Sequence, residues 1–96
     1  MAEYRLSPRA QRDLEGIFDY TVAKWGLPQA LLYTDLIEAA CAELAAAPQH
    51  GQNCANLRAG YRRYSVERHI LYFRPTSYGI GIIRILHHRM DVIRHL

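Results

Sequence analysis

The hydrophobic period of this chain changes from helical to strand-like near residue 57, and that change limits the folds available to it. Before it, apolar residues recur every three to four positions, the repeat of a helix that buries one stripe. They stand at Ala10, Leu14, Ile17, Phe18, Thr21, Val22 and Trp25, then at Leu32, Leu36, Ala40 and Leu44, widened by Tyr33, Ile37 and Cys41. After it, Tyr61 to Glu67, Arg68 to Arg74 and Tyr78 to His87 are rich in Tyr, Val, Ile and Phe, the residues that suit strands. A short alternating segment, residues 3–6, precedes the helices and reads as a further strand.

Local signals punctuate these segments. Ser7-Pro8 begins the first helix with a capping hydroxyl and a residue whose missing N–H costs nothing there. Gly26 ends that helix, Pro28 opens the second, and Pro48 stops it after about Ala47. So short a connection predicts an antiparallel helical hairpin. His50 to Asn56 reads as a loop and Pro75-Thr76-Ser77 as a turn, while the break near Glu67-Arg68 is weaker. Met90 to Leu96 reads as a short tail or one helical turn. The expected fold is α+β: an antiparallel sheet with the hairpin packed on one face and the other face open. In the last strand, Ile80, Ile82, Arg84 and Leu86 are expected on one side, and Gly79, Gly81, Ile83, Ile85 and His87 on the other. Arg84 is then either on the open face or buried with a partner.

A chain of 96 residues has room for one domain, spanning 1–96. No apolar run approaches the ~18 residues of a membrane span, and the first residues hold no signal-like apolar stretch, so a cytoplasmic protein is expected. The two cysteines, Cys41 and Cys54, match no zinc spacing, so no metal and no cofactor are expected. Charge is unevenly divided. Residues 1–57 carry four basic and seven acidic side chains, whereas residues 58–96 carry eight basic and two acidic ones. Of the 12 basic residues, 11 are arginine, whose planar fork suits carboxylate and phosphate. The second part therefore expects an acidic partner.

In order along the chain stand Tyr4-Arg5-Leu6-Ser7-Pro8, Ala10, Asp13-Leu14, Ile17, Tyr20, Trp25-Gly26, Gln29-Ala30, Leu57-Arg58, Gly60-Tyr61-Arg62-Arg63, Tyr72-Phe73-Arg74 and Ile83-Arg84-Ile85-Leu86-His87-His88-Arg89-Met90-Asp91. This set resembles ParE-type toxins of the RelE/ParE superfamily, from bacterial type II toxin–antitoxin modules, over nearly the whole chain. The resemblance implies a RelE-like β-α-α-β-β-β fold, a ParD-like antitoxin partner and inhibition of DNA gyrase without catalysis. The superfamily also contains RelE-like ribonucleases that cut messenger RNA on the ribosome. For that activity the candidates are Arg62, Arg63, Arg84, His87 and His88. However, Ile93 stands where many RelE-like chains carry a tyrosine, and the tail is more similar to ParE.

The candidate target- or antitoxin-binding residues are Arg58, Arg62, Arg63, Arg74, Arg84, His87, Arg89 and Trp25, with Arg68 in the same basic set. Surface charge often has no specific task. Arg62 and Arg63 are strand neighbours and must point to opposite faces, as must His87 and His88. Trp25 closes an apolar stripe and reads as interhelical packing, with a partner anchor as the alternative. Tyr61, Tyr64 and Tyr72 among the arginines could stack on bases, but aromatic residues are also ordinary strand formers. No direct sequence-specific nucleic-acid binding is expected.

Overall fold

A computed structural model describes residues 2–96. Its elements are β1 (Glu3–Leu6), α1 (Pro8–Trp25), α2 (Leu27–Ala46), a 3-10 turn (Pro48–His50), β2 (Gln52–Asn53), β3 (Arg62–Val66), β4 (His69–Thr76), β5 (Gly79–His87) and α3 (Val92–His95). The five strands form one sheet in the order β1-β5-β4-β3-β2. The fold is α+β with the hairpin on one face, as expected. β2 to β5 pair antiparallel, but β1 joins β5 parallel, so the sheet is mixed. The two helices between β1 and β5 form the crossover that parallel pairing requires. The segment read as a loop at 50–56 contains the two-residue strand β2. Pro75 and Thr76 lie inside β4, not in a turn. β3 begins only at Arg62, opposite Phe73, so no neighbouring strand on that side needs the N–H that Pro75 lacks.

Ser7 caps α1: its Oγ accepts the Ala10 N–H at 3.0 Å and donates to the Ile83 carbonyl at 2.7 Å. One cap therefore starts the helix and ties it to β5. Gly26, at φ 93°, is the single residue joining α1 to α2. Its N–H donates to the Val22 carbonyl at 2.9 Å and its own carbonyl accepts from Ala30 at 3.2 Å.

The core between hairpin and sheet is built on Ile37, Leu44, Leu71, Phe73, Ile80 and Ile82, all almost fully buried. On α2 the buried stripe is Ala30, Ile37, Ala40, Cys41, Leu44 and Ala45. Leu32 and Leu36, read from the sequence as part of that stripe, are exposed. α2 carries apolar residues almost all round, and the small alanines are the ones that let it approach its neighbours closely. Burial pushes the Cys41 thiol up to about 12, so it stays protonated.

A bulge in β5 corrects the expected division of faces. Tyr72 stands opposite Arg84 but Phe73 stands opposite Ile82, which leaves Ile83 unmatched. The extra residue shifts the alternation by one, so Ile85 joins Ile80 and Ile82 in the hairpin-side core. Leu86 instead joins a second cluster with Cys54 and Tyr72, onto which Leu57, Tyr61, Ile70, Val92 and Leu96 pack. The far face of the sheet is therefore not wholly open. The 54–61 turn and the C-terminal helix cover one part of it. Among the described residues, no helix is long and apolar enough to cross a membrane.

Candidate interaction surfaces

The bulge, the end of β1 and the Arg84 side chain belong to one arrangement. β1 pairs only as far as Leu6, opposite Ile82, because Ser7-Pro8 turns the chain into α1. Beyond that point the β5 edge lacks a strand, and Asp13 of α1 takes its place. The Asp13 carboxylate accepts the Ile85 N–H at 2.9 Å and binds Arg84 through Nε at 2.8 Å and Nη2 at 3.0 Å. Arg84 Nη1 donates to the His95 carbonyl at 2.9 Å, which ties the C-terminal helix to the same post. Hydrogen bonding to Asp13 raises the Arg84 pKa further. Arg84 is 9% exposed, so it is a buried structural cation and not a member of a docking face.

The remaining sequence candidates separate. Arg62 is half-buried and donates to the carbonyls of Pro48 at 3.1 Å and Gly51 at 2.7 Å, holding the turn that follows α2. Arg63 faces the other way, with Nε 3.3 Å from Gln52 Oε1. Arg58, Arg74 and Arg89 are exposed. His87 and His88 do not diverge: their rings stack at 4.5 Å, because His88 lies past the end of β5. Arg62, Arg84 and His87 thus lie in three different surroundings, and the residues that the sequence offered for phosphodiester cleavage are not gathered around one point.

A broad groove of about 1000 Å³ runs between the hairpin and the β3–β4 turn. Tyr20, Trp25 and Leu36 form its apolar wall, Met90 lies at its C-terminal side, and Arg12 and Arg68 are its cations. Trp25 is 62% exposed, which overturns its reading as an interhelical core residue. It occupies the last position of α1, where the chain leaves the packed interface at Gly26. Leu27, Leu31 and Leu32 extend the apolar surface along α2. Sequence periodicity missed this surface because it assigned Leu32 and Leu36 to the buried stripe and Trp25 to interhelical packing.

The groove also contains a polar cluster that sequence reasoning did not assemble. Tyr33 Oη lies 2.7 Å from His69 Nδ1 and accepts the Arg68 N–H at 3.2 Å. The His69 ring meets His87 edge-on at 5.4 Å. Burial, then His87 and His88, lower the His69 pKa to about 4, with Asp13 opposing. Burial, then His88, Arg89 and Arg68, also lower the His87 pKa. The pairing of neutral His69 with Tyr33 Oη joins α2 to the sheet. A base whose pKa falls on folding stabilises the native state above its unfolded value near 6.5, and that stability is lost as pH falls towards 4. Allowing for partial solvation, the expected loss is about 2 kcal/mol between pH 7 and 4. Chemical denaturation across that range should show it, and His69→Gln should flatten the slope. An unchanged slope in His69→Gln would place the acid sensitivity elsewhere.

The family described as "ParE toxin of type II toxin-antitoxin system, parDE" matches residues 4–92. The chain belongs to the ParE toxin family. Among ParE relatives, a protein named Toxin ParE1 from Mycobacterium tuberculosis is 44% identical over 96 residues, covering 99% of this chain and 98% of that one. Toxin ParE1 of Caulobacter vibrioides is 41% identical, covering 100% and 99%. Toxin ParE of Escherichia coli is 32% identical, covering 100% and 94%. A solved structure titled "Chromosomal ParDE TA system from P. aeruginosa" superposes with a TM-score of 0.77 at 25% identity, covering 91% of this chain and 96% of that one. This ParE-family chain is thus a toxin of a type II toxin–antitoxin system, and its fold is the implied β-α-α-β-β-β order with the short strand β2 and the C-terminal helix α3 added.

Proposed function

We propose that this toxin inhibits DNA gyrase by binding it, with no catalytic step of its own, and that a ParD-like antitoxin neutralises it by direct contact. Such a target places it in the cytoplasm. The observation that carries the antitoxin half is the exposed apolar wall of Tyr20, Trp25 and Leu36 beside Arg12 and Arg68. An amphipathic segment with acidic flanks fits this groove: its apolar residues would cover the wall and its carboxylates would meet the guanidiniums. Kinship with a structure titled as a ParDE system supports the partner, and membership of the ParE toxin family fits the target that the resemblance implies.

The ribonuclease alternative has less support. Cleavage through a 2′-hydroxyl needs a base, an acid and a phosphate-binding cation at one site. Here Arg84 is committed to Asp13, and Arg62 to backbone carbonyls. The testing experiment is a supercoiling assay with purified gyrase. The toxin should block supercoiling and accumulate cleaved DNA, and prior addition of its antitoxin should restore activity. Gyrase unaffected by excess toxin would overturn the reading, and message cleavage on ribosomes would replace it with the RelE-type activity.

A further inference from the structure

The sheet face turned away from the hairpin carries a second feature, remote from the groove. Strand register sets Arg5 of β1, Gly81 of β5 and Arg74 of β4 side by side in one row across the sheet. All three lie on the far face, because their neighbours Leu6, Ile82 and Phe73 point into the hairpin-side core. The same row continues towards Tyr61, which lines a small cavity together with Arg74, Gly60 and Pro75. The Arg58 guanidinium lies 5.8 Å from the Tyr61 ring, and Arg5 lies 3.9 Å from the ring of Tyr78. Arg63 stands on this face as well, opposite Tyr72. Gly81 contributes no side chain between Arg5 and Arg74, so a shallow trough separates two cations that stand two strand spacings, ~10 Å, apart.

This stripe has little acidic compensation. Residues 44–66 and 68–90 contain no aspartate or glutamate. Glu3 pairs with Arg5 at 2.6 Å, and the C-terminal helix brings Asp91 and the Leu96 carboxylate to the covered part of the same face. The stripe also lacks large exposed aliphatic anchors: Leu27, Leu31, Leu32 and Leu36 all belong to the hairpin, and Met90 and Ile93 to the C-terminal segment. A protein partner draws much of its affinity from buried apolar and aromatic anchors. A polyanion backbone draws it from arginine–phosphate pairs and released counterions, with no need for such anchors. A ~10 Å gap between cations corresponds to about three nucleotide rises of ~3.4 Å along one strand.

We infer that the face bearing Arg58, Arg63 and Arg74, flanked by Arg5, binds the phosphodiester backbone of nucleic acid without reading its sequence. The guanidiniums hold phosphates about three nucleotides apart across the Gly81 trough, and Tyr61 supports Arg58 from beneath. This surface is separate from the groove offered to the antitoxin, so it stands or falls independently of gyrase inhibition.

The test uses the full-length toxin and fluorescence anisotropy with a labelled 20-base-pair DNA duplex of arbitrary sequence, and in parallel with an RNA of equal length. Binding at low salt should weaken steeply as salt rises. Arg58→Gln with Arg74→Gln should lower affinity at least tenfold and reduce the log–log salt slope by about two, one for each phosphate no longer neutralised. Arg9→Gln with Lys24→Gln removes the same charge from the opposite side of the molecule and should change affinity less than threefold. The arm that binds more tightly identifies the natural polymer. No binding to either polymer at low salt would overturn the inference. Equal losses in the two double variants would also overturn it, because net charge rather than this face would then be responsible. Circular dichroism melting of both variants separates either result from unfolding.

Discussion

Asp13→Ala is expected to destabilise this toxin by about 3–5 kcal/mol, the usual cost of removing one partner from a buried ion pair. The substitution leaves the Arg84 guanidinium in a site that is 9% exposed without its countercharge. It also removes the acceptor for the Ile85 N–H, at an edge where β1 has ended. The loss falls on three elements together, because Arg84 also holds the carbonyl of His95. For a domain of this size it corresponds to a fall in Tm of more than ~10 °C. Thermal and urea unfolding would measure it. Asp13→Leu combined with Arg84→Met should recover much of the loss, since a packed apolar pair avoids the cost of burying charge. A Tm shift below ~3 °C in Asp13→Ala would mean that water or another group replaces the carboxylate at little cost.

Trp25→Ala is expected to weaken antitoxin binding by about 2–4 kcal/mol, or roughly 30- to 1,000-fold. Trp25 is 62% exposed in the free chain, so truncation removes little from the core and Tm should stay within a few degrees. In the complex its ring would lie under the apolar side of the antitoxin segment, beside Tyr20 and Leu36. Calorimetry or biolayer interferometry with the cognate antitoxin would read the change. Unaltered affinity in a folded Trp25→Ala toxin would move the docking site off the hairpin. The same variant should retain its nucleic-acid binding, because the arginine stripe lies on the other side of the sheet.

Several parts of this structure could be read from local sequence. The Ser7-Pro8 start of α1, the Gly26 junction and the Pro48 stop depend on capping and on backbone angles that neighbouring residues already impose. The hydrophobic periods place the two helices and three main strands, and the ordered motifs from Tyr4 to Asp91 carried the family resemblance. The opposed directions of Arg62 and Arg63 followed from strand alternation alone. Trp25 and Leu36 did not follow, because a periodic stripe does not say how far round the helix the core extends. His69 joined no motif, since its partners Tyr33 and His87 lie 36 and 18 positions away along the chain.

What the chain determined by itself was the succession of elements, their ends, and the segregation of arginine into its second part. These properties arise from interactions between residues close in sequence. The parallel placement of β1, the bulge at Ile83 and the burial of Arg84 needed the folded molecule. Each depends on the point where β1 runs out along β5 and on which α1 side chain then reaches the exposed edge. Only packing between segments some seventy residues apart in the chain brings Asp13 to that edge.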